Sequence, residues 1–269
     1  MEMTKEGILA NLPPEYPWRK QFEFFTSLDS TNDWLKLLAR QGAAHGTILI
    51  ADHQTGGHGR RGRSFLSPPG SGIYLSVLLR PDCPPQQLLH LTCATAVAMC
   101  DAINDGAGFR PGIKWTNDLV AKGKKLCGIL SELGFTPEGR VDYAIIGIGL
   151  NCCQQPGDFP PEIREIAGSL AMFTGQEISR NRVAAAMMTR LAQMWTMLFD
   201  DKQALMDRYR RNCITLGKAI SVVKGDDIIR HGTALDVDSD GALVVRFDTG
   251  ETEAVSSGEV SVRGLYGYV

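Results

Sequence analysis

The chain has 269 residues, 43% of them hydrophobic, enough to bury a full core in one large domain and leave room for a small one. Its 28 lysines and arginines against 30 aspartates and glutamates give a net charge of −2. With no basic domain or tail, that excludes a general nucleic-acid or membrane-surface binder. Seven cysteines, at 83, 93, 100, 127, 152, 153 and 213, form no C-x-x-C pair and have no histidine at zinc spacing, which predicts reduced thiols in a cytosol. Met1 to Glu6 lead into a short apolar patch and then prolines, so no secretory leader is expected. The most apolar helix candidate, Leu88 to Cys100, contains His90 and is too short to span a bilayer.

Phe22-Glu23-Phe24-Phe25 alternates weakly and reads as a strand. Ser27 to Asn32 offers several helix N-caps before Trp34, Leu35, Leu37 and Leu38, in a helix that should stop at Gly42. Gly46 to Ala51 and Ile73 to Leu79 are apolar runs that suit strands. Pro84 or Pro85 should open a long buried helix to about Asn104. The middle is rich in strands: Gly112 to Trp115, Leu119 to Ala121, Leu126 to Leu133 and Val141 to Leu150, with Lys122-Gly123-Lys124 as a hairpin tip. Links this short require antiparallel neighbours, and helices before and after them indicate an α+β arrangement.

Asn181 to Phe199 carries Val183, Met187, Leu191, Met194 and Leu198 at helical spacing, with the methionines read as core filler. Arg208-Tyr209-Arg210-Arg211 reads as a solvated face. Beyond Leu216-Gly217, short β segments at 219–223, 228–235, 243–247 and 252–255 alternate with the turn signals Gly225-Asp226-Asp227 and Ser239-Asp240-Gly241. Such spacing predicts a small five-stranded barrel. The expected division is an N-terminal extension over 1–21, a catalytic domain over 22–216 and the barrel over 217–269.

The segment with the most chemistry in it is Gly56-Gly57-His58-Gly59-Arg60-Arg61-Gly62-Arg63. Glycines let a backbone approach a ligand, and arginine forks match phosphate oxygens, so an anionic, phosphate-bearing substrate is expected. Gly57-x-Gly59-x-x-Gly62 also satisfies the dinucleotide-binding pattern. That fingerprint needs a helix to follow, and Ser67-Pro68-Pro69-Gly70-Ser71-Gly72 breaks one.

Three more clusters stand out: Lys114-Trp115-Thr116-Asn117-Asp118, Lys125-Leu126-Cys127-Gly128-Ile129-Leu130 and Gly147-Ile148-Gly149-Leu150-Asn151. Alone, each could be a salt-bridged turn, a snorkelling edge lysine or a close-packed strand end. In order, and with the glycine-arginine segment, they resemble the signature motifs of biotin–protein ligases. Ser30-Thr31-Asn32, Gln54 and the late Gly258-Glu259-Val260-Ser261-Val262-Arg263 match as well, so the resemblance covers roughly residues 22–263.

The resemblance implies a mixed, largely antiparallel sheet with flanking helices, related to class II synthetases, followed by an SH3-like barrel. It implies formation of biotinyl-5′-AMP from biotin and ATP with Mg²⁺, then transfer of biotin to a lysine of a biotin carboxyl carrier domain. By the same resemblance Ser30, Thr31, Asn32 and Gln54 belong to the biotin pocket, with His58, Gly59, Arg60 and Gly128 beside them. Lys125 matches the lysine that contacts the biotin carboxylate, and with Arg60 it is the expected catalytic group. Arg60, Arg61, Arg63, Lys114, Asn117 and Asp118 fall on the phosphates and metal, and Asn151 nearer adenine. The metal ligands themselves stay open.

Three positions depart from the family pattern. Its usual arginine is His58, which carries only part of a charge near neutrality; its proline is Thr116; and its aromatic, commonly tryptophan, is Phe65. About twenty residues precede Phe22, too few for the winged helix that makes some relatives repressors, so no DNA binding is expected. The protein is expected to be a monomer or a homodimer. Competing readings are a lipoate- or octanoyl-protein ligase, which shares the scaffold and the lysine, and a non-catalytic biotin-binding module, which would need neither Lys125 nor Asp118.

Overall fold

The computed structural model describes residues 2–224, 227–257 and 261–264. Gly225-Asp226 of one expected turn and Gly258-Glu259-Val260 of the late motif lie outside the described residues. The described chain folds in the order α1 (Lys5–Ala10), β1 (Phe22–Phe25), α2 (Thr31–Arg40), β2 (Thr47–Ala51), β3 (Gly72–Leu79), α3 (Leu91–Ala107), β4 (Gly112–Lys114), β5 (Asp118–Ala121), β6 (Lys124–Phe135) and β7 (Val141–Asn151). Helices α4 (Leu170–Thr174), α5 (Arg180–Met197) and α6 (Lys202–Asn212) follow. The last strands are β8 (Ala219–Lys224), β9 (Asp227–Val237), β10 (Leu243–Phe247), β11 (Thr252–Val255) and β12 (Ser261–Gly264).

The first seven strands form one sheet in the order β1-β2-β3-β7-β6-β5-β4. Its pairs are antiparallel except β1–β2, whose parallel pairing needs the α2 crossover between them. Residues Lys122 and Gly123, both at positive φ, make the two-residue turn between β5 and β6, as a tight hairpin requires. Every residue of β3 is buried. Leu35 and Ala39 of α2 pack with Leu49, Leu78 and Ile145 on one face of the sheet, while α3 and α5 contribute to a larger core on the other. That larger core continues through Ile220, Val222, Val237 and Val245 into the second sheet. The second sheet is five-stranded and antiparallel, in the order β11-β10-β9-β8-β12. The α+β class and the small C-terminal β unit read from the sequence are therefore present.

Several expectations need correction. The long helix starts at Leu91 and not at Pro84 or Pro85, because Pro85–Leu88 is a separate 3₁₀ turn. It also runs past Asn104 to a left-handed Gly108 cap. Asn104-Asp105-Gly106 looks like a stop, but Gly106 is a helix contact: a Cβ there would lie 2.8 Å from Val183 Cα. Arg208 to Arg211 is not a plain solvated face either. Tyr209 is fully buried, Arg208 pairs with Asp101, and Arg210 Nε donates to Val237 O at 2.7 Å. Helices α1, α4 and α6 had no clear sequence signal. Helix α1 is a single capped segment, with Thr4 Oγ1 accepting from Gly7 N at 3.0 Å, that carries Ile8 into the core.

One buried ion pair ties the sheet to α5. Arg180, 3% exposed, donates to Asp52 Oδ1 and to Gly72 O. Breaking such a pair strands the remaining charge, at about 3–5 kcal/mol. Arg180→Leu should therefore lower unfolding stability by that order in urea titrations, and a loss below about 1 kcal/mol would mean that solvent already compensates Asp52.

Candidate active site

A cavity of about 470 Å³ opens where the N-terminus of α2, the segment 54–65, the β4–β5 turn, and strands β6 and β7 meet, with Val262 of β12 also lining it. Ser30, Thr31, Asn32, Gln54, His58, Gly59, Arg60, Arg61, Arg63, Lys114, Asn117, Asp118, Lys125 and Gly128 all line it. Asn151 does not. It is buried, donating to Gly168 O at 3.1 Å and accepting from Gln154 Nε2 at 3.2 Å, which pins the chain that follows β7.

Glycines make the cavity floor. Gly128 of β6 pairs with Gly149 of β7. A Cβ at Gly128 would press on the Lys125 ammonium at 3.1 Å, one at Gly149 would enter the Phe65 ring at 2.4 Å, and one at Gly147 would strike Asn32 Oδ1 at 2.2 Å. Gly147 and Gly149 alternate along one strand, so both open the same face. Phe65 lies on that face and meets Tyr74 edge-on at 6.4 Å.

One end of the cavity is cationic. Five basic side chains and one carboxylate, Asp118, line it. Lys125 Nζ sits 2.7 Å from Asp118 Oδ1, and the Lys125 backbone bonds both Ile166 O and Gly168 N. Arg60 donates to Asn117 Oδ1 at 2.9 Å and to Ser257 O of the C-terminal unit. Burial, reinforced by Arg61 and opposed by Asp118, pulls the Arg60 guanidinium below its ordinary value. Arginine starts so high that it stays charged at neutral pH.

The glycine-arginine segment has a defined backbone path. It folds back as a narrow hairpin, with Gly59 N bonded to Arg63 O at 2.6 Å and Phe65 N to Gly57 O at 2.9 Å. At its tip Arg61 (φ 59°) and Gly62 (φ 71°) are both left-handed, the combination that matches strand twist in two-residue turns. The segment 114–118 is braced from behind. Trp115 N donates to Thr215 Oγ1 at 3.0 Å, its Nε1 donates to Gly241 O at 2.9 Å, and Tyr209 Oη donates to Thr116 O at 3.1 Å. The Trp115–Thr116 peptide is cis.

The other end is neutral and polar. Thr31 N donates to Gln54 Oε1 at 2.9 Å, Asn32 Nδ2 donates to Glu132 Oε2 at 2.8 Å, and Ser76 Oγ lies 2.6 Å from both Thr31 Oγ1 and Asn32 Oδ1. Nothing in the sequence marks Ser76 or Glu132, because a single polar residue on a strand carries no spacing signal. Alternating glycines at 147 and 149 do carry one, since glycine in a strand marks a close approach. Among the described residues no group of three or more histidines, cysteines, aspartates and glutamates could hold a metal.

The sequence profile described as the biotin/lipoate A/B protein ligase family matches residues 24–151, and that of the biotin protein ligase C terminal domain matches residues 215–263. The bifunctional ligase/repressor BirA of Bacillus subtilis is 37% identical over 227 residues, 83% of this chain and 68% of that protein. The biotin–[acetyl-CoA-carboxylase] ligase of Mycobacterium tuberculosis is 33% identical over 250 residues, 90% of this chain and 89% of its own length. Among solved structures, the biotin protein ligase of Aquifex aeolicus in complex with biotin and ATP superposes with a TM-score of 0.77 at 28% identity, covering 90% of this chain and 98% of that one.

The glycine floor is testable without any ligand. Gly149→Ala should push Phe65 off the sheet and open the hairpin, raising amide exchange at Phe65 by at least about tenfold, an opening roughly 1.4 kcal/mol easier. Exchange in β3 should hold. An unchanged Phe65 amide would show that the ring needs no glycine beneath it.

Proposed function

This chain belongs to the biotin protein ligase family, and from that membership we infer that it is an ATP-dependent ligase. It activates biotin as biotinyl-5′-AMP and then passes biotin to a lysine of a biotin carboxyl carrier domain. The observation that carries the assignment of the site is the meeting of two opposite ends in one cavity: Thr31, Asn32 and Gln54 at a neutral polar end, and Arg60, Lys114 and Lys125 at a cationic one.

In the first step a biotin carboxylate oxygen bonds to the α-phosphorus of ATP as the bond to the β-phosphate bridge breaks and pyrophosphate leaves. Two anions must approach each other, so fixed positive charge is the main contribution the protein can make. Lys125 is the group we assign to the biotin carboxylate. Asp118 holds its ammonium in place at 2.7 Å, and Gly128 leaves it room. Arg60, Arg61 and Arg63 approach from the hairpin, and Lys114 and Asn117 from the β4–β5 turn, toward the nucleotide phosphates. In the second step the acceptor amine attacks the acyl carbon, an amide forms and AMP departs. Enclosure beneath the hairpin keeps water from the mixed anhydride in between.

Magnesium prefers few protein ligands and several phosphate or water oxygens. One carboxylate, Asp118, at the phosphate end fits an ion that arrives with the nucleotide, where it would add charge neutralisation. We assign Asn151 a supporting part, because it holds the chain after β7 and does not face the cavity. The polar end favours biotin over a lipoyl group, since Thr31, Asn32 and Gln54 offer hydrogen-bonding groups that a dithiolane ring has no N–H or C=O to use. We divide the chain at residues 216/217, with residues 1–21 as an extension that packs on the catalytic part. The proposed setting is cytoplasmic, with the protein as a monomer or homodimer acting on protein and not on DNA. No helix among the described residues is long and apolar enough to cross a membrane.

Incubation with biotin, MgATP and several carrier domains should add one biotin to a single acceptor lysine, read by mass; no addition on any carrier would overturn the ligase reading. Lys125→Ala should slow adenylate formation in single turnover by roughly a hundredfold or more, about 2–4 kcal/mol of transition-state stabilisation. A near-native rate would reduce Lys125 to the structural partner of Asp118.

A further inference from the structure

We propose that Glu132, which lies outside the cavity, fixes which hydrogen-bonding groups the polar end presents and so sets its demand for N–H donors on the ligand. The inference rests on the reading that this end receives the cyclic urea of biotin.

Three oxygen–oxygen contacts run across this end in series: Gln54 Oε1 to Thr31 Oγ1 at 3.0 Å, Thr31 Oγ1 to Ser76 Oγ at 2.6 Å, and Ser76 Oγ to Asn32 Oδ1 at 2.6 Å. Both amides at the ends have their orientation imposed from outside. Thr31 N donates to Gln54 at 2.9 Å, so Gln54 must turn its oxygen to Thr31. Asn32 Nδ2 donates to Glu132 Oε2 at 2.8 Å. An ionised carboxylate only accepts, so Asn32 must turn its oxygen to Ser76. Gly147 leaves the room in which Asn32 does this.

The two hydroxyls carry two protons for three contacts. The wall is therefore rich in acceptors and one donor short, and three of its members are almost fully buried, with Ser76 at 0%, Thr31 at 3% and Asn32 at 5% exposure. An N–H from the ligand supplies the missing donor. A cyclic urea has two, on either side of its carbonyl.

Lys36 makes Glu132 a fixed reference. Its ammonium lies 2.8 Å from Glu132 Oε1 and 3.0 Å from Asp33 Oδ1. A lysine ammonium only donates. Placed at 132, a glutamine must give its oxygen to Lys36, which turns its NH₂ toward Asn32. Asn32 then turns its own nitrogen to Ser76, and the wall has enough protons without a ligand. Glu132 and Lys36 are positioning residues, since neither lines the cavity.

The test compares biotin with a lactam analogue in which a methylene replaces one ureido N–H. In Glu132→Gln the KM for biotin should rise at least about tenfold, as expected for a lost polar match. KM for ATP and kcat at saturating biotin should stay within about twofold of the parent, and the preference for biotin over the lactam should fall by at least about fivefold. Adding Lys36→Met frees the glutamine to turn back and should restore the preference, which a simple loss of packing could not do. An unchanged preference in Glu132→Gln, or a double variant no different from the single one, overturns the proposal. A parent protein that does not turn over biotin at all overturns the ligase reading and this inference with it, so the two failures are distinguishable.

Discussion

Five cationic side chains share the lining of one cavity with a single carboxylate, and the rest of the site is arranged around keeping them there. Burial and the neighbouring Arg61 both disfavour the charged Arg60 guanidinium. The fold offsets that cost with fixed partners. Asp118 holds Lys125. Asn117 and a carbonyl from the C-terminal unit hold Arg60. An incoming anion relieves the same repulsion, and a transition state in which two anions are joined relieves it most. In the proposed reaction this fixed charge is the main source of rate.

Precision in this arrangement comes from the sheet. Strands β5, β6 and β7 deliver Asp118, Lys125 and the glycine floor in one register, because Asp118 pairs with Gly128 and Gly128 with Gly149. The absence of a Cβ at 128, 147 and 149 lets Lys125, Asn32 and Phe65 lie flat where ordinary residues would fill the space. The second sheet is part of the same machinery. Its Gly241 carbonyl receives the Trp115 indole, and its Ser257 carbonyl receives Arg60. Motion of that unit would therefore be felt at both the β4–β5 turn and the hairpin.

What the sequence makes legible follows from how local each cause is. Apolar runs such as 73–79 and 141–150 are legible as strands because they are short and bounded by glycine or charged turns. The charged motifs are legible because glycine, arginine and lysine cluster within a few residues of one another. Asn151 shows the limit of motif reasoning: Gly147 to Gly149 of the same motif line the cavity, yet its amide bonds Gly168 and Gln154. Gly106 misleads because the need for it comes from Val183, 77 positions later on another helix. Ser76 and Glu132 are silent for the same reason, since only the folded sheet brings them to Asn32. Tyr209 sits in a run of arginines that looks solvated, and only its docking against Thr116 explains its burial.

In the proposed reaction, biotin's carboxylate is joined to the α-phosphate of ATP before any acceptor is present. Exchange of labelled pyrophosphate into ATP, with no carrier domain added, reads that step alone. Exchange should depend strictly on biotin and fall away when biotin's carboxylate is converted to an amide. Exchange that proceeds without biotin, or no exchange with it, would rule out biotin activation at this cavity.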